Sequence, residues 1–307
     1  RKALSNWQED LPQPWTAAME ATLFTGWIYD FLKPHAQSIK VAHPEMLKAI
    51  TAAKKKNDIS DAEKIADLLR VNMLPECYMM PQELRELRRI LRYRNHIVRT
   101  ASKEKNKIAG LLMEVGAQYN KKRLHGKKYF SELLDTVEHV PDSVINMLKL
   151  SRSNLEIFTD IQKRLVHAMK GNDLIRDRVE HLLTIRGVGE VTALTWVLEV
   201  GEPKRFHSVR QAISYCGLCA AQKESAGKEY RGPISKKRNK HIQTILIEAA
   251  KLAPIWNPQL AEVHQKELDR GNRNRATLAV ARKLVAYMLA VDKSGQAFQV
   301  KESAMAA

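Results

Sequence analysis

From Pro81 the chain reads "PQELRELRRILRYRNHIVRTASKEKNKIAGLLMEVG", with Leu84, Leu87, Leu91 and Val98 at helical spacing. That spacing predicts one long helix. A second is expected over about Asn154 to Met169, where Leu155, Phe158, Ile161, Leu165 and Met169 fall on one stripe. The pattern is coiled-coil-like and predicts a helical connector in mid-chain. The first helix is strongly basic. Residues 85–107 hold nine Lys and Arg side chains, Arg92 and Arg94 among them, against Glu86 and Glu104.

Strands and helices alternate before this connector. "PWTAAMEAT" (Pro14–Thr22) reads as a short buried strand ending at Glu20, "GWIYDFLKPHA" as a helix, and "SIKVAHP" as a second strand stopped by Pro44. Such alternation predicts an α/β layer. From about His181 the chain is expected to be helical with short Gly- and Pro-marked breaks. Its 307 residues leave room for two or three domains; the boundaries expected are 1–83, 84–178 and 179–307.

Charge narrows the function classes. Lys and Arg number 51 against 34 Asp and Glu, a net +17, and such an excess points to a polyanionic partner. No apolar run is long enough for a membrane span and no signal peptide precedes the chain, so nucleic acid is favoured over membrane. Three cysteines make no disulfide framework, which fits a reducing cytosol. The chain begins with Arg1 rather than Met, so a preceding piece is expected.

Four motifs carry candidate chemistry. In "LLTIRGVGEVTALTWVL" (Leu182–Leu198), Gly187 and Gly189 separate two helices. A helix-hairpin-helix of this kind grips nucleic-acid backbone through N–H groups at a helix N-terminus; the plain alternative is a tight helix–helix turn. "AAQKESAGKEYRGPISKKRNKHIQ" (Ala220–Gln243) places Ser225 in a small-residue turn before a basic run containing Arg231, Lys236, Lys237, Arg238 and Lys240. A hydroxyl nucleophile attacking a phosphodiester needs such cations, although a serine in a turn is usually a loop residue. Cys216 and Cys219 form a C-x-x-C with no second ligand pair, so packing is expected there rather than zinc.

The fourth motif is "KKKNDISDAEKIADLL". Asp58 as N-cap would put Asp61 at N3, an acidic cap favoured by the helix dipole. The same spacing brings two Cβ atoms within about 5–6 Å, close enough to share divalent metal ions. Glu20, ending a strand, is the expected third carboxylate of an RNase H-like centre.

Taken together the motifs resemble the insertion-sequence transposases of the family numbered one hundred and ten, which includes Piv-type DNA invertases. "AMEAT" resembles the segment bearing the family Glu, at Glu20, and "KKNDISDAEKIADLL" the D-x-x-D-A helix, at Asp58 and Asp61. "IRGVGEVTALTWVLEVG", "RFHSVRQAISYCGLCAA", "SKKRNKHIQTILIEAA" and "GNRNRATLAVARKLVAYMLAV" resemble the C-terminal transposase domain, whose serine falls at Ser225. The family's first Asp lies in a G-I-D-type strand that nothing here matches; Glu9 and Asp10 fall in an expected polar loop. The resemblance implies an α/β plus mainly α fold: an incomplete RuvC/RNase H-like domain lacking its first strand, the connector, and a helical C-terminal domain with a helix-hairpin-helix.

It also implies a DNA transposase or recombinase with Mg²⁺ (or Mn²⁺) on Glu20, Asp58 and Asp61 and a transient phosphoserine at Ser225. The implied partners are element and target DNA, in some members a structured non-coding RNA as guide, and further copies in a homodimer or tetramer, in a prokaryotic cytoplasm at the nucleoid. Two other readings stay open: a RuvC-like nuclease or junction resolvase using water, and a non-catalytic helix-hairpin-helix binding protein.

Overall fold

The computed structural model describes residues 1–50, 57–225, 227–235 and 238–299, with the side chains of Ala49, Ile50, Lys223, Glu229 and Arg231 left aside. The chain divides into two compact units, Arg1–Arg85 and Glu86–Ala307.

The first unit is a small α/β layer. Helix α1 (Lys2–Glu9) precedes strand β1 (Thr16–Glu20), helix α2 (Thr25–Leu32), strand β2 (Ser38–Ala42), helix α3 (Pro44–Ile50) and helix α4 (Asp58–Arg70). Both strands occur where the alternation predicted them. They pair in parallel, from Thr16 opposite Ser38 to Glu20 opposite Ala42. A parallel pair needs a crossover, and α2 provides it. The expected burial of β1 is only partial, since none of its residues is fully buried. Glu9 is not in a loop; it ends α1, with Asp10 as C-cap. A small cluster of Ala42, Leu47 and Leu74, joined by Ala18, Ile65 and Leu68, packs α4 onto the sheet.

In the second unit, α5 (Gln82–Glu114), α6 (Lys127–Thr136) and α7 (Asp142–Lys170) form a helical group. Its core includes Ile108, Leu112, Phe130, Leu148 and Leu155. Helix α7 extends about three turns N-terminal to the expected stretch, because Val144 and Leu148 continue the buried stripe. The remainder runs α8 (Arg176–Leu183), α9 (Glu190–Val200), α10 (Val209–Tyr215), β3 (Ala220–Ser225), β4 (Lys228–Ile234), α11 (Lys240–Trp256), α12 (Pro258–Leu268) and α13 (Arg273–Ser294). Every residue of α9 from Thr192 to Val200 is buried; a helix apolar on all sides belongs at the centre of a core.

The β3–β4 hairpin corrects the expectation of helices broken only by turns. Ser225 pairs with Lys228 across a two-residue turn, and Gly227 at φ +74° supplies the left-handed conformation such a turn requires. No described helix is long and apolar enough to cross a membrane.

Candidate active and nucleic-acid-binding sites

The carboxylates of the first unit lie on one face of the layer. Thr16, Ala18 and Glu20 share a side of β1 because strand side chains alternate, and Ala18 packs with Ile65 and Leu68 of α4. Asp58, Asp61, Ile65 and Leu68 follow one another at steps of three or four, a single helical stripe. Both aspartates therefore continue the stripe that faces β1. Neither is the cap: that role falls to Asn57, whose side chain accepts a 2.7 Å hydrogen bond from the Ser60 N–H. Relieved of capping, Asp58 is exposed and Asp61 half-buried, 3.7 Å from the Lys64 ammonium. Glu20 is fixed through its backbone, its carbonyl accepting from the Thr25 hydroxyl at 3.1 Å.

Carboxylate oxygens are the right donors for Mg²⁺, and Asp58 and Asp61 have the spacing to share an ion. Convergence is incomplete. Among the described residues no three His, Cys, Asp or Glu side chains are gathered closely enough to hold a metal ion, so Glu20, Asp58 and Asp61 do not form a complete site by themselves.

In the second unit Ser225 ends β3 at the hairpin tip, exposed to solvent. Arg231 lies on β4, with its side chain outside the description, and Lys236 and Lys237 lie outside the described residues. Arg238 is exposed and donates from Nη1 to the Ser235 carbonyl at 3.2 Å. Its Cβ lies 2.4 Å from where a Cβ on Gly217 would stand, so only glycine fits beneath it. Lys240 opens α11, behind the N-cap Asn239.

Gly187 and Gly189 join α8 to α9 and serve different ends. Gly187 has φ +97°, and a Cβ there would lie 2.6 Å from Ala253 Cβ and 2.8 Å from Ala253 Cα. It is the closest approach of the turn to α11, a packing role. Gly189 is the N-cap of α9 with open space around it. The α9 N-terminus already carries an acid: Glu190 pairs with Lys170 at 2.5 Å. Gly187→Ala is expected to destabilise the protein by about 2–4 kcal/mol, strain plus overpacking. Gly189→Ala should cost under about 1 kcal/mol; urea midpoints for the two variants check the difference.

Arg92 is held by a buried partner. Its side chain is 46% exposed, and its guanidinium donates to Glu199, Nε to Oε1 and Nη2 to Oε2, each at 2.9 Å. The Glu199 side chain is fully buried and its Oε2 also accepts from Asn239 Nδ2 at 2.7 Å. Burial alone would raise the Glu199 carboxyl, but Arg92, Asn239 and Arg88 together hold it below its ordinary value of 4.5. A depressed folded pKa means this stabilisation is complete above the unfolded value and disappears as pH falls through the folded one. Glu199→Gln is expected to lose roughly 1.5–3 kcal/mol at pH 7. The gap to wild type should close below the ordinary carboxyl value of 4.5, as read from urea melts between neutral and acid pH.

Arg94 is different. It is half-buried, and among the described residues its Nε is enclosed without a partner while Nη1 donates to Asn95 Oδ1 at 3.1 Å. It lines a cleft of ≈ 390 Å³ with Arg99, Lys240 and His241. Burial first, then Arg92, Lys240 and Arg99, outweigh Glu199 and keep the His241 imidazole below its ordinary pKa, hence neutral at pH 7. Cys216 is buried, and that burial pushes its thiol up to about 12.

Sequence reading missed two buried carboxylates, Glu199 and Asp292. Asp292 accepts from Arg178 Nε at 2.7 Å, Arg178 Nη2 at 2.8 Å and Trp196 Nε1 at 2.9 Å, joining α8, α9 and α13. The available signal was a lone acid within an apolar helical run, "TWVLEV" and "YMLAVD".

Two family models match the chain: one of DEDD-type transposases of the IS110 group over residues 1–116, and one described as the transposase IS116/IS110/IS902 family over residues 179–265. Among curated proteins, the transposase for insertion sequence element IS1111A of Coxiella burnetii is 29% identical over 244 residues, covering 74% of this chain and 64% of that protein. The transposase for insertion sequence element IS1328 of Yersinia enterocolitica is 22% identical over 291 residues, covering 93% of this chain and 86% of that protein. The chain thus spans slightly less than two thirds of the length of the Coxiella relative.

Proposed function

Because the chain belongs to the IS116/IS110/IS902 family of transposases, we propose that it cuts and rejoins the DNA of an insertion sequence with Ser225 as nucleophile. The observation that carries this reading is the exposed Ser225 hydroxyl at a hairpin tip, in a stretch that the family model covers. Ser225 Oγ attacks a phosphodiester phosphorus, forming an O–P bond as the bond to one DNA oxygen breaks. The serine proton leaves to solvent and the departing oxygen takes one up. A DNA hydroxyl then attacks the phosphoserine, the strand is rejoined and Ser225 is regenerated, with no net consumption of water. Arg238 and Lys240, with Arg231, Lys236 and Lys237, offset charge on the phosphate.

Asp58 and Asp61, with Glu20, would hold Mg²⁺ (or Mn²⁺), with phosphate oxygens of bound DNA among the remaining ligands. The ion would supply positive charge against the transition state. Gly189 and the α9 N-terminus contact backbone as a helix-hairpin-helix; residues 84–178 act as connector and 179–307 as the serine domain. A structured RNA of the element supplies sequence choice by base pairing, and two or four copies hold the strands together. The test is covalent trapping on a nicked suicide duplex carrying the element end. A protein–DNA species that survives denaturation is expected with Ser225 present; cleavage without that species would point to water as nucleophile and overturn the reading, and binding without cleavage would make the chain a binding protein.

A further inference from the structure

The second unit carries an elongated basic groove that shares only Lys240 with the cations proposed for the serine site. Two clefts follow one another along α7, and a third continues from them between α5, α9 and α11. The first, ≈ 370 Å³, and the second, ≈ 430 Å³, share Thr159 and Lys163; the second and third, the latter ≈ 390 Å³, share Arg94. From Arg152 to Lys170 alone the line covers about 27 Å of helix, before it continues between α5 and α11. Four carboxylates line it, and each is already paired with a neighbouring Lys or Arg: Glu156 with Arg152, Asp160 with Arg164, Glu190 with Lys170, and Glu248 with Lys251. Arg94, Arg99, Lys105, Lys163 and Lys240 have no ion pair among the described residues. Five uncompensated cations in one row therefore set the sign of the groove.

A second feature points to an absent anion. Arg94 stands where two of the clefts meet, and among the described residues its enclosed Nε has no hydrogen-bond partner. A buried polar atom left unpaired calls for a missing partner, and a guanidinium is matched by phosphate geometry. No Phe, Tyr or Trp lines any of the three clefts, so the groove offers charge without a stacking platform.

We propose that this groove, from Lys105 through Lys163 and Arg94 to Arg99 and Lys240, holds a single strand of nucleic acid by its phosphates, without reading its bases. The proposal rests on the transposase reading for its choice of polyanion, and it adds a strand-holding site apart from the serine hairpin. During exchange a strand released from pairing would lie there while its end reacts.

Counterion release makes the proposal measurable. Each phosphate neutralised on a single strand contributes about −0.7 to the slope of log affinity against log salt. The triple variant Arg99→Gln, Lys105→Gln, Lys163→Gln alters three exposed side chains and keeps helix formers in place. Binding of a fluorescent mixed-sequence single strand, as DNA and as RNA, is followed by anisotropy from 50 to 200 mM salt. The variant's slope is expected to be shallower by about 2, so that it loses ~20-fold less affinity over that range. A control triple, Lys204→Gln, Arg210→Gln, Lys266→Gln, removes equal charge from exposed positions elsewhere in the unit and should leave the slope unchanged. The arm with the larger change identifies the occupant as DNA or RNA. Equal changes in the two triples, no change in the first, or a change seen only with blunt duplex would overturn the groove. Ser225→Ala should bind both strands with wild-type affinity, so loss of the covalent species and loss of the groove register as separate failures.

Discussion

Ser225→Ala is expected to abolish the denaturation-resistant protein–DNA species and to lower strand rejoining by about 10⁴–10⁶-fold, the scale seen when a covalent nucleophile is deleted. The residue is exposed at the hairpin tip, so the melting temperature should move by no more than a degree or two. An unchanged fold with vanished chemistry is thus the distinctive result. Ser225→Cys offers a further check, since a thiol presents a nucleophile at the same place. Cleavage that persists in Ser225→Ala would mean that water attacks the phosphorus, and the carboxylates of the first unit would then carry the chemistry without the serine.

Asp292→Ala should have the largest effect on stability, about 3–5 kcal/mol. The carboxylate is fully buried and accepts three hydrogen bonds, two from Arg178 and one from Trp196. Its removal leaves a guanidinium only 26% exposed without its counter-charge, and an indole N–H without an acceptor inside the core. Arg178 Nη2 also donates to the Gly201 carbonyl at 2.7 Å, so the end of α9 loosens as well. In a unit of this size the loss corresponds to a fall of roughly 10 °C or more in melting temperature. The double variant Arg178→Met, Asp292→Leu removes both charges and should recover much of the loss, because an apolar pair of similar volume has no desolvation penalty. Equal stability of single and double variants in urea melts would show that the pair contributes little.

The two long helices and the strands of the α/β layer were legible from simple local signals: Leu84, Leu87 and Leu91 on one helical face, Ile39 and Val41 alternating in "SIKVA", and a short apolar run before Glu20. The start of α7 was missed because its buried positions, Val144 and Leu148, follow a proline and lie in the apolar-rich run "VINML", where Ile145 and Met147 blur the helical stripe. The hairpin was missed because "AAQKES" has no strand propensity; it is held by pairing with β4 and by the turn at Gly227, a tertiary override of local preference. At the candidate sites the residue types Glu20, Asp58, Asp61 and Ser225 could be named from motifs. The capping question at "NDISD" could not be decided in that way, since Asn57 and Asp58 are both good caps and one residue of register separates them.

What the sequence determined by itself is the family, the basic charge and the helical period of the middle, together with which residues are candidates for a site, all of which depend on identity and spacing along the chain. Tertiary structure alone decided what each charge is for. Arg92 and Arg94 stand two apart in one basic run, yet one is paired with the buried Glu199 while the other borders a cleft with its Nε unpaired among the described residues. Two residues along a helix are about 200° apart, and only the packing of α9 and α11 fixes which side meets a carboxylate and which borders a cleft.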